Sequence, residues 1–357
     1  MKILSEAHLG RIEGHLRSVL NRVFSADGLG AMNELIRCYV LAGGKRIRPQ
    51  LCLWTYEKSG ARGQGSGVSP AVPLDLACAW ELFHAFLLVH DDIIDNSFTR
   101  RGEASLHRQL ASLDGNTTAF GANLGIVAGD LLFSAATRVW HELELPDDLY
   151  RAELKLYSRI ATTTGFGQAI DICQSHAGLD EVDEHLLLKE YHWKTAAYTF
   201  EGPMLSGAIM ARVSDGAMGA ISRFALSLGQ AYQIQNDLLD LSNPAHEGSD
   251  LVQGKRTIAL VRARSAMADG RRADFDRRLD ELKHANGQAL GIAEGLRRDL
   301  WNSGAIETTQ DLIADFLGAA YSASQDPALP PPLSSAMSQM LSSLKQQYFL
   351  TVEATSR

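Results

Sequence analysis

At 357 residues, 45% of them hydrophobic and 21% charged, the chain can bury a substantial core and lies far from the composition of disordered proteins. Its formal charge of −8 argues against a nucleic-acid partner, which requires clustered Lys and Arg, and leaves only local phosphate binding. Cys38, Cys52, Cys78 and Cys173 contain no Cys-x-x-Cys pair, so neither a disulfide framework nor a thiolate zinc site is suggested, and a reducing cytoplasm is expected.

The first residues, Met1 to His8, carry no positive region followed by a long apolar run, and no later stretch reaches about 18 uncharged apolar residues. A soluble protein that is neither exported nor an integral membrane protein is expected. Apolar residues recur at three- and four-residue spacing, while strand-like alternation is scarce, which predicts an all-α fold. In chain order, a glycine pair with three cations, Gly43-Gly44-Lys45-Arg46-Ile47-Arg48-Pro49, comes first, followed by a Gly/Ser-rich loop over 60–67. Leu76 to Ile94 is hydrophobic nearly all round until its acidic end, the mark of a helix buried in a bundle. A second buried helix is predicted from Ile221 to Leu241, a loop over 242–249, a solvated helix and turn over Arg262–Arg278, and a Pro-rich loop over 326–332. No composition break and no repeat of fixed period divides the chain, so residues 1–357 read as one helical domain.

Asp91, Asp92 and Asp95 directly follow the first apolar helix. Helical positions four apart differ by about 40° of rotation, so Asp91 and Asp95 share a face. Neighbouring carboxylates on a buried helix repel and lose hydration unless a cation offsets both effects, and a hard cation such as magnesium suits them. The alternative is the solvated end of a helix. A second oxygen-rich face near the end of the other buried helix, in the run Gln233 to Asp240, weighs against it: Asn236 and Asp240 lie four apart and Asp237 and Asp240 three apart. Two such faces suggest opposing walls of one cavity holding metal ions around a diphosphate. No His/Cys ligand spacing competes, which disfavours zinc. Arg100-Arg101-Gly102 follows the first cluster, and Arg gives phosphate oxygens bidentate partners while Lys adds a mobile charge.

With these motifs in order, the sequence resembles the trans-prenyl diphosphate synthase family over roughly Gly43 to Thr257. The matching segments are Gly43 to Pro49, His84 to Asp95, Arg100 to Gly102, Gly167 to Asp171, Lys194-Thr195, Gln233 to Asp240 and Asp250 to Thr257. The resemblance implies an all-α bundle around a central cavity, the isoprenoid synthase type I fold, that condenses isopentenyl diphosphate with an allylic diphosphate. It implies that Lys45, Arg48, His84 and Arg101 hold the diphosphate of isopentenyl diphosphate, while Arg100, Lys194 and Lys255 hold the allylic diphosphate. It also implies three magnesium ions, with Asp91 and Asp95 as direct ligands, Asp92 in support, and Asp171, Asn236, Asp237 and Asp240 among the metal-facing groups. Thr195 and Gln233 would turn oxygens toward the developing allylic cation, and Gln168 would line the same cavity. The released diphosphate would take the final proton, and the protein would work as a homodimer.

Asn236 stands where the family usually has Asp, which removes a full charge from a metal-facing position. A weakened or non-catalytic subunit of a hetero-oligomeric synthase is therefore one alternative, and a related class I cyclase is another. Phe86 and Leu87 lie five and four residues before Asp91. By the same resemblance one aromatic followed by a smaller residue implies a twenty-carbon product, geranylgeranyl diphosphate, with farnesyl diphosphate as the alternative.

Overall fold

The apolar run that precedes Asp91 folds as a helix, Val72–Ile94 (α4), with Pro73 in its first turn, where a missing N–H is harmless. Leu76, Trp80, Leu82, Phe83 and Val89 are buried on it, and fully burying a Leu or Phe stabilises by about 1.5–3 kcal/mol relative to exposure. The helix stops at Asp95, after which Asn96 adopts a positive φ of 50°. The computed structural model describes residues 3–24, 29–60, 68–69, 71–115, 117–242, 251, 253–284 and 289–349.

These residues fall into two compact units, Met1–Tyr157 with Gly202–Ser214, and Ser158–Glu201 with Asp215–Arg357. In the first, α4 packs against Glu6–Val23 (α1), Ile47–Lys58 (α3), Leu106–Ala111 (α5) and Thr118–His141 (α6), while Gly30–Leu41 (α2) lies on α1 and α5. Gly125 and Gly129, four apart on α6, let it approach closely, since a Cβ at either would stand 2.8 Å from Ile93 or 2.2 Å from His90. Asp147–His176 (α7) gives this unit its residues up to Tyr157, and Gly202–Met210 (α9) packs on α3. By length and hydropathy α4 and α6 could each cross a membrane; the most apolar window of α4 is 72% buried inside the protein, that of α6 39%.

The second unit holds the rest of α7, then Glu184–Glu190 (α8), an eleven-residue π-helical segment Tyr191–Glu201, and Asp215–Ser242 (α10). Ile258–Ala266 (α11), Asp269–His284 (α12), Ala289–Asn302 (α13), Ala305–Ser324 (α14) and Pro331–Gln347 (α15) follow. α10 is the central helix, with Ile221, Phe224, Leu228, Ile234 and Leu238 at most 1% exposed, packed between α14 and the π-helical segment. The charged stretch 262–278 is more than a solvated face: Phe275 is fully buried, Arg262 pairs with Glu184, and Arg264 pairs with Asp276. The loop expected over 326–332 is present up to Pro330, and α15 begins at Pro331. Those at 60–67 and 242–249 lie, apart from Gly60 and Ser242, outside the described residues, as do Asp250 and Val252. All four cysteines are free. The one strand pair among the described residues, Thr99–Arg100 (β1) with Glu103–Ala104 (β2), belongs to the first candidate cluster below.

Candidate functional site

At the end of α4, Asp91 and Asp95 are half-buried and one turn apart, and Asp95 caps the helix by donating its N–H to the Asp91 carbonyl at 2.8 Å. Asp92 points elsewhere. It is fully buried; its Oδ1 accepts Arg100 Nε at 2.8 Å and also meets Arg100 Nη2, while its Oδ2 accepts the Tyr39 hydroxyl at 3.2 Å. Burial pushes its carboxyl above the ordinary value against the opposing pull of Arg100. Burial also opposes the Arg100 charge, but the Asp92 hydrogen bond and charge outweigh it. Asp92 thus acts on the cluster through Arg100, whose Nη2 stays 3.8 Å from Asp91.

The hairpin makes this possible. Its central residues Arg101 and Gly102 both have positive φ, 56° and 84°, the requirement of a type I′ turn. The tight reversal sends Arg100 back to Asp92 and Arg101 to the glycine pair, where Arg101 Nη1 donates to the Gly43 carbonyl at 2.5 Å. Gly43 and Gly44 sit at φ 85° and 131°, and a Cβ on Gly44 would stand 3.2 Å from the Arg101 guanidinium carbon.

Of the three cations after that pair, only two remain candidates for an anion. Arg46 is buried in the core, donating to Glu13 and Glu81 at 2.6 Å each. Lys45 is exposed and Arg48 buried at the start of α3. His84 lies among Arg48, Arg101 and Arg100; burial first and these charges next drive its pKa far down, so the imidazole is neutral. Below the aspartates, Phe86 meets Phe83 at 5.6 Å and Phe133 of α6 at 5.2 Å, and Phe133 in turn meets Tyr157 at 6.1 Å. Leu87 is half-buried beside them in the chain. Tyr39, Phe133 and Tyr157 escape sequence reasoning because each reaches the cluster from a distant element.

The second cluster lies entirely in the second unit. Lys194 and Thr195 sit on the π-helical segment, a geometry often found at functional sites. Lys194 Nζ donates to the Asp171 carboxylate of α7, one turn after half-buried Gln168. The Thr195 hydroxyl donates to Gln233 Oε1 at 3.0 Å, and Gln233 Nε2 donates to Asp237 Oδ1 at 2.7 Å. The Tyr191 hydroxyl donates to the other Asp237 oxygen. Asn236 accepts from the Tyr348 hydroxyl, whose ring stacks on Tyr232 at 5.1 Å and 14°. Asp240 is half-buried one turn further along α10. Glu190, unmarked by any sequence pattern, is buried among Asp171, Lys194, Asp237 and Lys255; burial and then the Asp171 charge push its carboxyl well up, against Lys194.

The candidate metal donors in both clusters are carboxylate and amide oxygens, which fits a hard cation. Among the described residues no group of three or more His, Cys, Asp or Glu forms a metal cage. Magnesium bound through one or two carboxylates and substrate phosphate oxygens needs none.

The sequence model of the family described as Polyprenyl synthetase matches residues 30–289. Geranylgeranyl pyrophosphate synthase 11, chloroplastic, of Arabidopsis thaliana is 31% identical over 257 residues, which cover 68% of this chain and 67% of that one. Geranylfarnesyl diphosphate synthase of Natronomonas pharaonis is 31% identical over 242 residues, 64% of this chain and 67% of that one. The crystal structure of geranylgeranyl pyrophosphate synthase from Corynebacterium glutamicum, complexed with isoprenyl diphosphate and magnesium, superposes with a TM-score of 0.81 at 25% identity, covering 95% of this chain and 99% of that one.

Proposed function

Because the chain belongs to the polyprenyl synthetase family, we propose that it is a short-chain prenyl diphosphate synthase that adds isopentenyl diphosphate head to tail to an allylic diphosphate, with geranylgeranyl diphosphate as product. The observation that carries this reading is the clasp at the end of α4, where buried Asp92 fixes Arg100 beside Asp91, directly above the Phe86 cluster. An apolar floor and metal-facing carboxylates then follow one another along α4, and the hairpin after it returns an anion-binding cation to them.

Asp91 and Asp95 in the first cluster, and Asp171, Asn236, Asp237 and Asp240 in the second, are the residues that would hold magnesium, which when bound would supply positive charge to a diphosphate leaving group. Arg100 of the first cluster, and Lys194 and Lys255 of the second, are the cations that would hold the allylic diphosphate. Lys45, Arg48 and Arg101 bind the diphosphate of isopentenyl diphosphate, and the neutral His84 adds a hydrogen-bond donor without further charge. Thr195 and Gln233, locked to each other at 3.0 Å, offer neutral oxygen dipoles to the allylic cation. Gln168 lines the same cluster, and the released diphosphate takes the proton. Phe86, backed by Phe133, would stop the growing tail, with Leu87 beside it.

We assign the protein to the cytoplasm, in keeping with its four free cysteines, and to a homodimer formed through α6. On that helix Ile126 and Val127 are 47% and 48% exposed and Leu131 39%, an apolar row that a second copy would cover. Asn236, whose amide oxygen the Tyr348 hydroxyl occupies, supports a second reading as an accessory subunit.

The test incubates pure protein and magnesium with isopentenyl diphosphate and, in turn, dimethylallyl, geranyl or farnesyl diphosphate, with products identified by mass spectrometry. A linear twenty-carbon diphosphate from the wild type and a longer one from Phe86→Ala are expected. Unchanged chain length in the variant would remove Phe86 as the floor. No condensation with any primer would favour the accessory subunit, and a cyclic hydrocarbon the cyclase.

A further inference from the structure

Two glycines stand where a helix interior disfavours glycine, and each lies one turn before a polar contact of the second cluster. On α7, Gly167 faces the π-helical segment so closely that a Cβ would stand 2.3 Å from the Lys194 nitrogen and 2.7 Å from its Cα. Four residues on, Asp171 receives Lys194 Nζ. On α10, a Cβ at Gly229 would stand 2.6 Å from the Ala196 Cβ and 2.7 Å from its Cα. Four residues on, Gln233 receives the Thr195 hydroxyl at 3.0 Å. The same device occurs on both sides of one segment: a backbone contact made without a side chain, followed one helical turn later by a hydrogen bond to a residue of the segment.

The geometry points to Gly167 and Gly229 as positioning residues for the reaction, Gly167 setting Lys194 against Asp171 and Gly229 setting Thr195 against Gln233. This rests on the roles proposed above for Lys194 and Thr195. Positions i and i+4 lie on one helix face, so pushing α7 away at Gly167 also lifts Asp171 from Lys194. Pushing α10 away at Gly229 lifts Gln233 from Thr195. The clashing atoms at Gly167 are backbone, which no rotamer change can relieve. The two displacements have different chemical consequences, because Lys194 meets a diphosphate that already carries most of its charge in the bound substrate, whereas Thr195 and Gln233 meet a charge that exists only as the carbon–oxygen bond breaks.

The experiment compares wild type, Gly167→Ala, Gly229→Ala and, as a control, Gly207→Ala, whose Cβ would meet the Cys52 carbonyl at an equal 2.3 Å in the first unit. Thermal melts, kcat and KM for the allylic diphosphate, and calorimetric binding of inorganic pyrophosphate with magnesium are measured per folded molecule. Gly167→Ala is expected to raise the allylic KM and weaken pyrophosphate about tenfold. Gly229→Ala is expected to lower kcat by roughly ten- to a hundredfold with KM little changed, the size of loss a misplaced group produces. The control is expected to shift only the melting temperature. Adding Gly167→Ala to Lys194→Ala should cost nothing further in pyrophosphate binding, since the glycine acts through the lysine. Variants that change only the melting temperature, that move kcat and KM alike, or that add in full to Lys194→Ala would overturn the proposal. A wild type that binds pyrophosphate in this pattern yet condenses nothing would sink the synthase reading and leave the positioning role standing; if one variant fails to fold, the other decides.

Discussion

Asp92 and Glu153 are both carboxylates with at most 1% exposure, and their neighbours give them opposite states. Asp92 has a guanidinium and stays in an ion pair. Glu153 has, among the described residues, only the Ser206 hydroxyl, which donates to Oε2 at 2.8 Å and itself accepts Trp80 Nε1–H at 2.9 Å. Burial therefore pushes Glu153 well above the usual carboxylate range. A folded pKa above the unfolded one gives stability that is fully present below the unfolded value, near 4.5, and is lost as pH rises toward the folded value. Relative to Glu153→Gln, the wild type should lose stability with rising pH above 4.5, by up to about 1.4 kcal/mol per pH unit. Urea melts of both proteins across that range would show it, and parallel curves would mean that Glu153 is ionised in the fold. The spacing of Asp91 and Asp95 was legible in the sequence because four residues are one helical turn. Glu153 was not, because its burial depends on Ser206, 53 residues away.

Among elements, α4 and α10 announce themselves by apolar content, and both extend earlier than periodicity indicates, to Val72 and Asp215. The π-helical segment gives no such signal, since its residues would serve equally in an α-helix and only packing against α10 and α8 selects it. The end of α15 is also invisible in sequence. Tyr348 folds back so that its ring stacks on Tyr232 and its hydroxyl reaches Asn236. Tyr348→Phe keeps the stack and loses the hydrogen bond, so stability should fall by about 0.5–1.5 kcal/mol. The magnesium concentration giving half-maximal turnover should fall as well, because the Asn236 oxygen is released. An unchanged magnesium requirement would show that Asn236 does not face the metal.

For the whole molecule, the exposed Ile126, Val127 and Leu131 on α6 bear on assembly, because α4 buries its apolar surface inside its own unit while α6 leaves much of its own uncovered. If the proposed dimer forms through α6, Leu131→Glu should sediment as monomer at micromolar concentration where the wild type sediments as dimer, with a charge placed in an apolar interface. A variant that sediments as the wild type does would overturn a dimer contact on α6.

The helical class, the two aspartate-bearing helices, the basic motifs and the family were all determined by the sequence, because helical period and short spacings are properties of neighbouring residues. Tertiary structure alone decided that Arg46 belongs to the core, that Asp92 serves Arg100, that Glu190 and Tyr191 join the second cluster, and that Tyr348 covers Asn236. Each of these is a contact between residues that local pattern cannot pair, fixed only when burial forces every polar group to find a partner.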